Sequence, residues 1–196
     1  MVSVQKIAIY CGSSSGLNPS FLKEAYQLGE TLAKHSVGIV YGGASVGLMG
    51  AVANGCLENQ GQVIGVIPTF LKRKEIEHIG LTELIQVDSM HERKRIMFER
   101  SDAFVVLPGG FGTMEEFFEV VTWSQLGLHN KPIVLLNWNG FYDSLVQMFQ
   151  TMVESGFLKK ENLDLVAVLK ETKDLLTHVQ NYSPSKVEKW LSEESI

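Results

Sequence analysis

Short apolar runs that stop at glycine or proline alternate along this chain with longer segments of helical period, and that alternation constrains the fold more than any other feature. A parallel strand covered on both faces can be apolar at consecutive positions, and it needs a crossover helix before the next strand can begin. The strand-like runs are Lys6 to Tyr10, Gly38 to Tyr41, Gln62 to Ile67, Leu84 to Val87, Ala103 to Leu107 and Pro132 to Leu136. Helical period is found over Ser20 to His35, Leu48 to Asn59, His91 to Arg100, Met114 to Leu126, Tyr142 to Glu154, Glu171 to Gln180 and, after Pro184, Lys186 to Glu193. The expected fold class is α/β, a doubly wound, mostly parallel sheet flanked by helices.

With no repeat, linker or low-complexity segment, residues 1–196 are expected to form a single domain. A chain of that length buries roughly 70% of its unfolded surface, enough for a core without staples. The two cysteines, Cys11 and Cys56, show no CxxC or Cys/His spacing, which argues against disulfide scaffolds, zinc fingers and iron–sulfur sites and for a reducing, cytoplasmic setting. A net charge of -5 argues against broad nucleic-acid or anionic-membrane binding but leaves room for a local basic cluster. The segment from Ser36 to Leu57 carries no charge and is long enough to span a bilayer, but its six glycines and the Gly42-Gly43 interruption read instead as strand, turn and helix. Polar Ser3, Gln5 and Lys6 ahead of a short apolar run do not make a signal peptide.

In an open α/β sheet, ligands bind outside the carboxyl ends of the strands, and three strand ends here are glycine-rich. They are Cys11-Gly12-Ser13-Ser14-Ser15-Gly16, the run from Gly42-Gly43 to Gly47-Leu48-Met49-Gly50, and Pro108-Gly109-Gly110-Phe111-Gly112-Thr113. One Gly-Gly pair reads as a tight turn. Three at equivalent ends of one sheet read as backbone opened to an anion at helix N-termini, suited to phosphate. No GxxxxGK[ST] is present, and the first turn lacks GxGxxG with an acidic residue about 20 positions on, so P-loop and dinucleotide enzymes are disfavoured.

At the third junction, Thr113 and Glu116 have capping-box spacing, and spacing alone favours that role for Glu116 over a catalytic one. The competing reading is a carboxylate one turn from bound phosphate. Because a helix dipole holds an anion weakly, cations are sought in Met90-His91-Glu92-Arg93-Lys94-Arg95. There Arg93 and Arg95 lie about 200° apart on a helix and cannot both face one site. His91 reads as solvated or packed, Cys11 as a small buried thiol, Cys56 as helix core, and Trp123, Phe117, Phe118 and Met148 as core or dimer surface.

Pro108-Gly109-Gly110-Phe111-Gly112-Thr113-Met114-Glu115-Glu116 resembles the PGGxGTxxE motif of the Lonely Guy (LOG) family of nucleoside 5'-monophosphate phosphoribohydrolases. The stretches Tyr41-Gly42-Gly43, Gly47-Leu48-Met49-Gly50 and Met90-His91-Glu92-Arg93-Lys94 are similar to that family too, and the likeness runs from about Lys6 to Glu154. The resemblance implies a Rossmann-like homodimer without metal or cofactor. It implies hydrolysis of the N-glycosidic bond of AMP or N6-isopentenyl-AMP to free base and ribose 5-phosphate, the step that activates cytokinins. Carried onto this chain, Arg93 and Glu116 are the catalytic pair. Substrate is held by Glu75, Lys94, Gly109, Gly110, Phe111, Gly112, Thr113, Met114 and Glu115, with the phosphate on Gly109 to Thr113. Many members have Tyr at the motif's variable position, where this chain has Phe111 and no hydroxyl. No lysine sits in a recognisable pyridoxal-phosphate setting, so the lysine decarboxylase label given to many relatives finds no support. The alternative is a non-catalytic carrier of a phosphorylated cofactor of the molybdenum cofactor type, which would use the glycine loops but not Glu116.

Overall fold

The computed structural model describes residues 4–71 and 77–184. Its strands β1 (Lys6–Tyr10), β2 (Gly38–Tyr41), β3 (Val63–Pro68), β4 (Glu83–Val87), β5 (Ala103–Val106), β6 (Ile133–Leu136) and β7 (Val166–Leu169) form one sheet. The spatial order is β4-β3-β2-β1-β5-β6-β7, and every neighbouring pair is parallel. Helices α1 (Ser20–Lys34), α2 (Gly47–Glu58), α3 (Met90–Glu99), α4 (Phe111–Leu126) and α5 (Asp143–Glu154) supply the crossovers other than that from β3 to β4, where no described residue is helical, and α6 (Leu175–Gln180) closes the described chain.

Successive side chains of a strand point to opposite faces, and both faces are covered. Ile7 and Ile9 of β1 pack with Leu28 and Leu32 of α1, Val52 and Cys56 of α2 and Val179 of α6. Ala8 and Tyr10 pack with Met97 of α3, Phe117 and Val120 of α4 and, at the margin, Phe149 of α5. From β1 the chain winds outward through β2, β3 and β4, then returns to lay β5 along the other edge of β1, with Ile7 opposite Ala103 and Tyr10 opposite Val106. Winding reverses at this seam, so the loops leaving β1 and β5 diverge and open a crevice at their carboxyl ends.

The uncharged segment from Ser36 to Leu57 is β2, its turn and the largely buried α2. Among the described residues no helix is long and apolar enough to cross a membrane. Gly55 of this segment and Gly29 of α1 serve packing rather than ligand approach. A Cβ at Gly55 would lie 2.0 Å from the Tyr26 carbonyl oxygen, and one at Gly29 of α1 would lie 2.1 Å from that of Val52. The backbones of α1 and α2 therefore touch where they cross.

Three expectations are corrected. A seventh strand, β7, is built from the apolar run at 166–169 at the edge of the sheet, beyond β6. The helix expected from Glu171 starts at Leu175 after a tight turn over Thr172–Asp174. Helix α4 begins at Phe111, not Met114, so Thr113 is its third residue and not its cap. The helix expected over Lys186 to Glu193 lies outside the described residues.

Candidate functional site

Hydrogen bonds join the three glycine junctions at the β1–β5 seam. The Gly12 amide donates to the Pro108 carbonyl at 3.1 Å, the Leu107 amide to that of Tyr10 at 2.9 Å, and the Leu48 amide, in the first turn of α2, to that of Gly12 at 3.1 Å. Around them lies a cavity of about 310 Å³, lined by Cys11, Gly12 and Ser13 from the first junction, Met49 from the second and Gly110 to Thr113 from the third. Met90, Arg93, Glu115 and Glu116 complete the wall.

Gly110 is the N-cap of α4 and makes no side-chain cap. The amides of Phe111, Gly112 and Thr113 have no carbonyl one turn back to bind, which makes this helix start an anion cradle. The glycines of the motif divide by role. A Cβ at Gly109 would lie 2.1 Å from Thr113 Oγ1, so this glycine seats the threonine. A Cβ at Gly110 or Gly112 would meet nothing within 4 Å, and neither residue has a positive φ. Protein packing and backbone conformation both leave those two positions open to a larger residue, and what glycine leaves there is unobstructed main chain facing the cavity.

Glu116 is 6% exposed and lies on the turn of α4 after the cradle. Because Thr113 is already inside the helix, the expected capping box does not form. An S-x-x-E box stands instead at the start of α3: the Ser89 hydroxyl accepts from the Glu92 amide at 3.1 Å, and Glu92 Oε2 accepts from the Asp88 amide at 3.1 Å. That cap fixes the first turn of α3 and with it Arg93, which is 4% exposed. Arg93 Nη2 lies 3.7 Å from Glu116 Oε1, Nη1 lies 3.8 Å from Met90 Sδ, and Nε is buried with no hydrogen-bond partner. A guanidinium has five N–H donors, and among the described residues this one has most of its capacity unspent beside the cavity. Arg95 points away to Glu99 on the exposed side, as the helical angle requires.

Burial first, and then the negative charges of Glu116 and Glu119, push the Tyr10 hydroxyl well above its ordinary range. Burial, followed by Glu116, likewise raises Cys11, while Arg93 pulls it back. Cys11 therefore lines the cavity as a neutral thiol and not as a nucleophile. His91 is exposed and does not line the cavity.

The sequence-predicted residues are thus partly brought together. Arg93, Glu116, Glu115, Gly110, Phe111, Gly112 and Thr113 share the cavity, and Gly109 lies beneath it. Phe111 is 97% exposed at the rim. Met114 is partly buried and packs against the core cluster on that face of the sheet. Lys94, 8% exposed, faces α4, where its ammonium binds Glu115 and, at 3.1 Å, Glu119. Burial acts to lower its pKa, but the hydrogen bonds to Glu115 and Glu119 carry it above the ordinary lysine value. Glu75 lies outside the described residues. Met49 and Met90 were not singled out by sequence reasoning, although each lies within a segment flagged for other residues.

Fold and site together define a doubly wound α/β protein with a phosphate-type cradle and a buried arginine–glutamate centre at its switch point. The family model described as possible lysine decarboxylase matches residues 49–179, yet among the described residues no lysine lines the cavity. A probable cytokinin riboside 5'-monophosphate phosphoribohydrolase, LOGL9 of Oryza sativa subsp. japonica, is 44% identical over 180 residues, covering 92% of this chain and 79% of the relative. The cytokinin riboside 5'-monophosphate phosphoribohydrolase LOG7 of Arabidopsis thaliana is 42% identical over 180 residues, 92% of this chain and 83% of its own. The chain belongs to this LOG family of phosphoribohydrolases. Among solved structures, the Moco carrier protein of Chlamydomonas reinhardtii superposes with a TM-score of 0.69 at 22% identity, covering 91% of this chain and 96% of that one. The molybdenum cofactor binding protein of Rippkaea orientalis gives 0.65 at 22% identity over 92% and 98%. At that identity the likeness concerns the fold.

Proposed function

We propose that the chain hydrolyses the N-glycosidic bond of adenosine-type nucleoside 5'-monophosphates, AMP and N6-isopentenyl-AMP among them, to free base and ribose 5-phosphate. The observation that carries this reading is the buried Arg93–Glu116 pair one helical turn from two glycines, Gly110 and Gly112, that packing does not require. The 5'-phosphate binds the amides of Phe111, Gly112 and Thr113. The helix dipole contributes only about 0.3–1 kcal/mol, up to ~2 in favourable geometry, so the fixed charge of Arg93 supplies much of the rest.

Glu116 lies three residues beyond Thr113, a rise of about 4.5 Å along the helix, a spacing that supports reading its carboxylate as acting on the sugar and not on the phosphate. As the C1'–N bond breaks, its electron pair leaves with the base and C1' gains oxocarbenium character. The Glu116 carboxylate stabilises that charge and takes a proton from the attacking water, whose oxygen becomes the anomeric hydroxyl; that proton is balanced by one delivered from solvent to the departing nitrogen, and Glu116 returns its own to solvent as the products leave. Arg93 remains charged throughout and acts as an electrostatic donor to the phosphate or the leaving base. A carrier of a phosphorylated cofactor would have no use for a buried carboxylate at this place.

The net charge of -5 fits a small phosphorylated substrate better than a nucleic acid, and two buried thiols suit a reducing cytoplasm. The partner is a second copy, placed over the apolar groove formed by Phe118, Val121, Val146, Phe149 and Val168. Sedimentation tests that arrangement, and a monomer at every concentration rejects it. For the reaction, purified protein is incubated with AMP or N6-isopentenyl-AMP and the products are separated by chromatography. Free base with ribose 5-phosphate is expected, with little turnover of the unphosphorylated nucleosides. Intact substrate after long incubation at high enzyme concentration rejects the reading. Glu116→Gln is expected to lower kcat by about 10²–10⁴-fold with the fold retained.

A further inference from the structure

Gly42, at the end of β2, has no ligand to explain it: it does not line the cavity, and its φ is not in the left-handed region. A Cβ built on it would stand 2.1 Å from Arg93 Nη2, 3.3 Å from Arg93 Cζ and 3.1 Å from Met49 Sδ. The guanidinium therefore lies directly against the bare α-carbon of this residue. We infer that Gly42 is a positioning residue for the reaction, its missing side chain forming the seat that holds Arg93 beside Glu116. This inference rests on the proposed hydrolysis for its kinetic readout only.

The argument turns on which atoms would have to yield. Neighbouring Gly43 has φ +82°, so any side chain there is strained whatever the space. At Gly42 an alanine backbone is unstrained, and the atoms in the way are the far ends of two flexible side chains, Arg93 and Met49. Moving Nη2 from 2.1 Å to an ordinary contact of 3.4 Å requires a retreat of about 1.3 Å. The fold can absorb that shift, because among the described residues Met90, Glu116 and the seat are the recorded contacts of the guanidinium, and its Nε has no partner there to lose. Catalysis cannot absorb it. A misplacement of ~1 Å in a catalytic group can cost about 10²-fold, as can the loss of one stabilising donor. The strand end thus sets the reach of a side chain on α3, an element some fifty positions later in sequence.

The test is a double-mutant cycle of Gly42→Ala, Arg93→Ala and the pair, with kcat, KM and Tm measured on AMP and a crystal structure of the single Gly42→Ala variant. Expected are a Tm within a few degrees of wild type and a kcat lowered about 100-fold with KM changed far less. Adding Gly42→Ala to Arg93→Ala should cause no further loss, because the seat is then empty. Additive losses in the cycle, or a kcat equal to wild type, overturn the inference. If the wild-type protein does not turn over AMP, the hydrolase reading fails and the crystal structure decides the seat alone. A guanidinium displaced by an ångström or more supports it, and one unmoved against the new methyl group overturns it.

Discussion

Replacing Lys94 with methionine separates two roles that sequence and structure assign to the same residue. The resemblance places Lys94 on the substrate, whereas its ammonium is turned to Glu115 and Glu119 on α4. At 3.1 Å and an effective dielectric of ~20, the attraction to Glu119 is about 5 kcal/mol before desolvation and side-chain entropy offset it. Glu115 is 55% exposed, so that pair contributes at most about 1 kcal/mol. Glu119 is 23% exposed and can recover water when its partner goes, which keeps the total loss near 2 kcal/mol, below the ~3–5 kcal/mol of a fully buried pair.

With a urea m-value of about 2 kcal/mol/M, the unfolding midpoint of Lys94→Met should fall by about 1 M, while KM for AMP stays within about threefold of wild type. The effect has a pH signature. The folded-state pKa of Lys94 is raised, so its contribution is fully present below about 10.5, the unfolded lysine value. It is lost as pH rises through the folded value, and the gap between wild type and variant should close in that alkaline range. An unchanged midpoint together with a KM raised more than about tenfold refutes the clamp and returns Lys94 to the substrate.

Gly112→Ala should leave Tm unchanged or slightly raised, since the new Cβ meets nothing within 4 Å and alanine favours a helix by roughly 0.5–1 kcal/mol. Its KM for AMP should nevertheless rise about tenfold or more, and steady-state kinetics giving a wild-type KM would remove the phosphate from this cradle. Gly29→Ala drives a Cβ to 2.1 Å from the Val52 carbonyl oxygen. Backbone cannot swing aside as a side chain can, so a loss at or above the ~3 kcal/mol upper range of overpacking is expected in urea unfolding, and a loss under about 1 kcal/mol disproves the close helix crossing. Burial raises Cys56 from 9.0 to about 11, which leaves a thiolate fraction of about 10⁻³ at pH 8. Iodoacetamide should label the native chain at least about 100-fold more slowly than the urea-unfolded chain, and comparable rates contradict the burial.

Six of the strands could be placed from sequence as short apolar runs alternating with segments of helical period. β7 was not, although its run of Val166–Leu169 is just as apolar; it is a half-exposed edge strand reached through the 3-10 turn at Lys160–Leu165, not a helix. The junctions themselves were legible as ligand-facing, yet the role of each glycine was not. Gly29 and Gly55 look no different in one dimension from Gly110 and Gly112, and only the crossing of α1 and α2 shows that the first pair serves packing. The Glu116 ambiguity had a similar source. Capping spacing occurs at both Ser89 and Thr113, and which one caps depends on where the helix starts, which β5 and its turn determine. Lys94 entered through the resemblance; on a helix it points about 100° away from Arg93 and here meets the acidic flank of α4, a placement that needs the tertiary contact between α3 and α4.

The seam between β1 and β5 also governs when the site can exist. The Asp102 carboxylate, just before β5, accepts the amides of Gln5 and Lys6 across sequence separations of 97 and 96. Long-range pairing of this kind is the slow part of folding. During synthesis β1 to β4 emerge first, leaving one edge of β1 unpaired until β5 arrives. The cradle, the arginine and the glutamate come together only when that edge closes. On the proposed function, a nucleoside monophosphate would bind a state that only the completed sheet can offer and stabilise it by mass action, so substrate supply would protect newly made chains at their most aggregation-prone step.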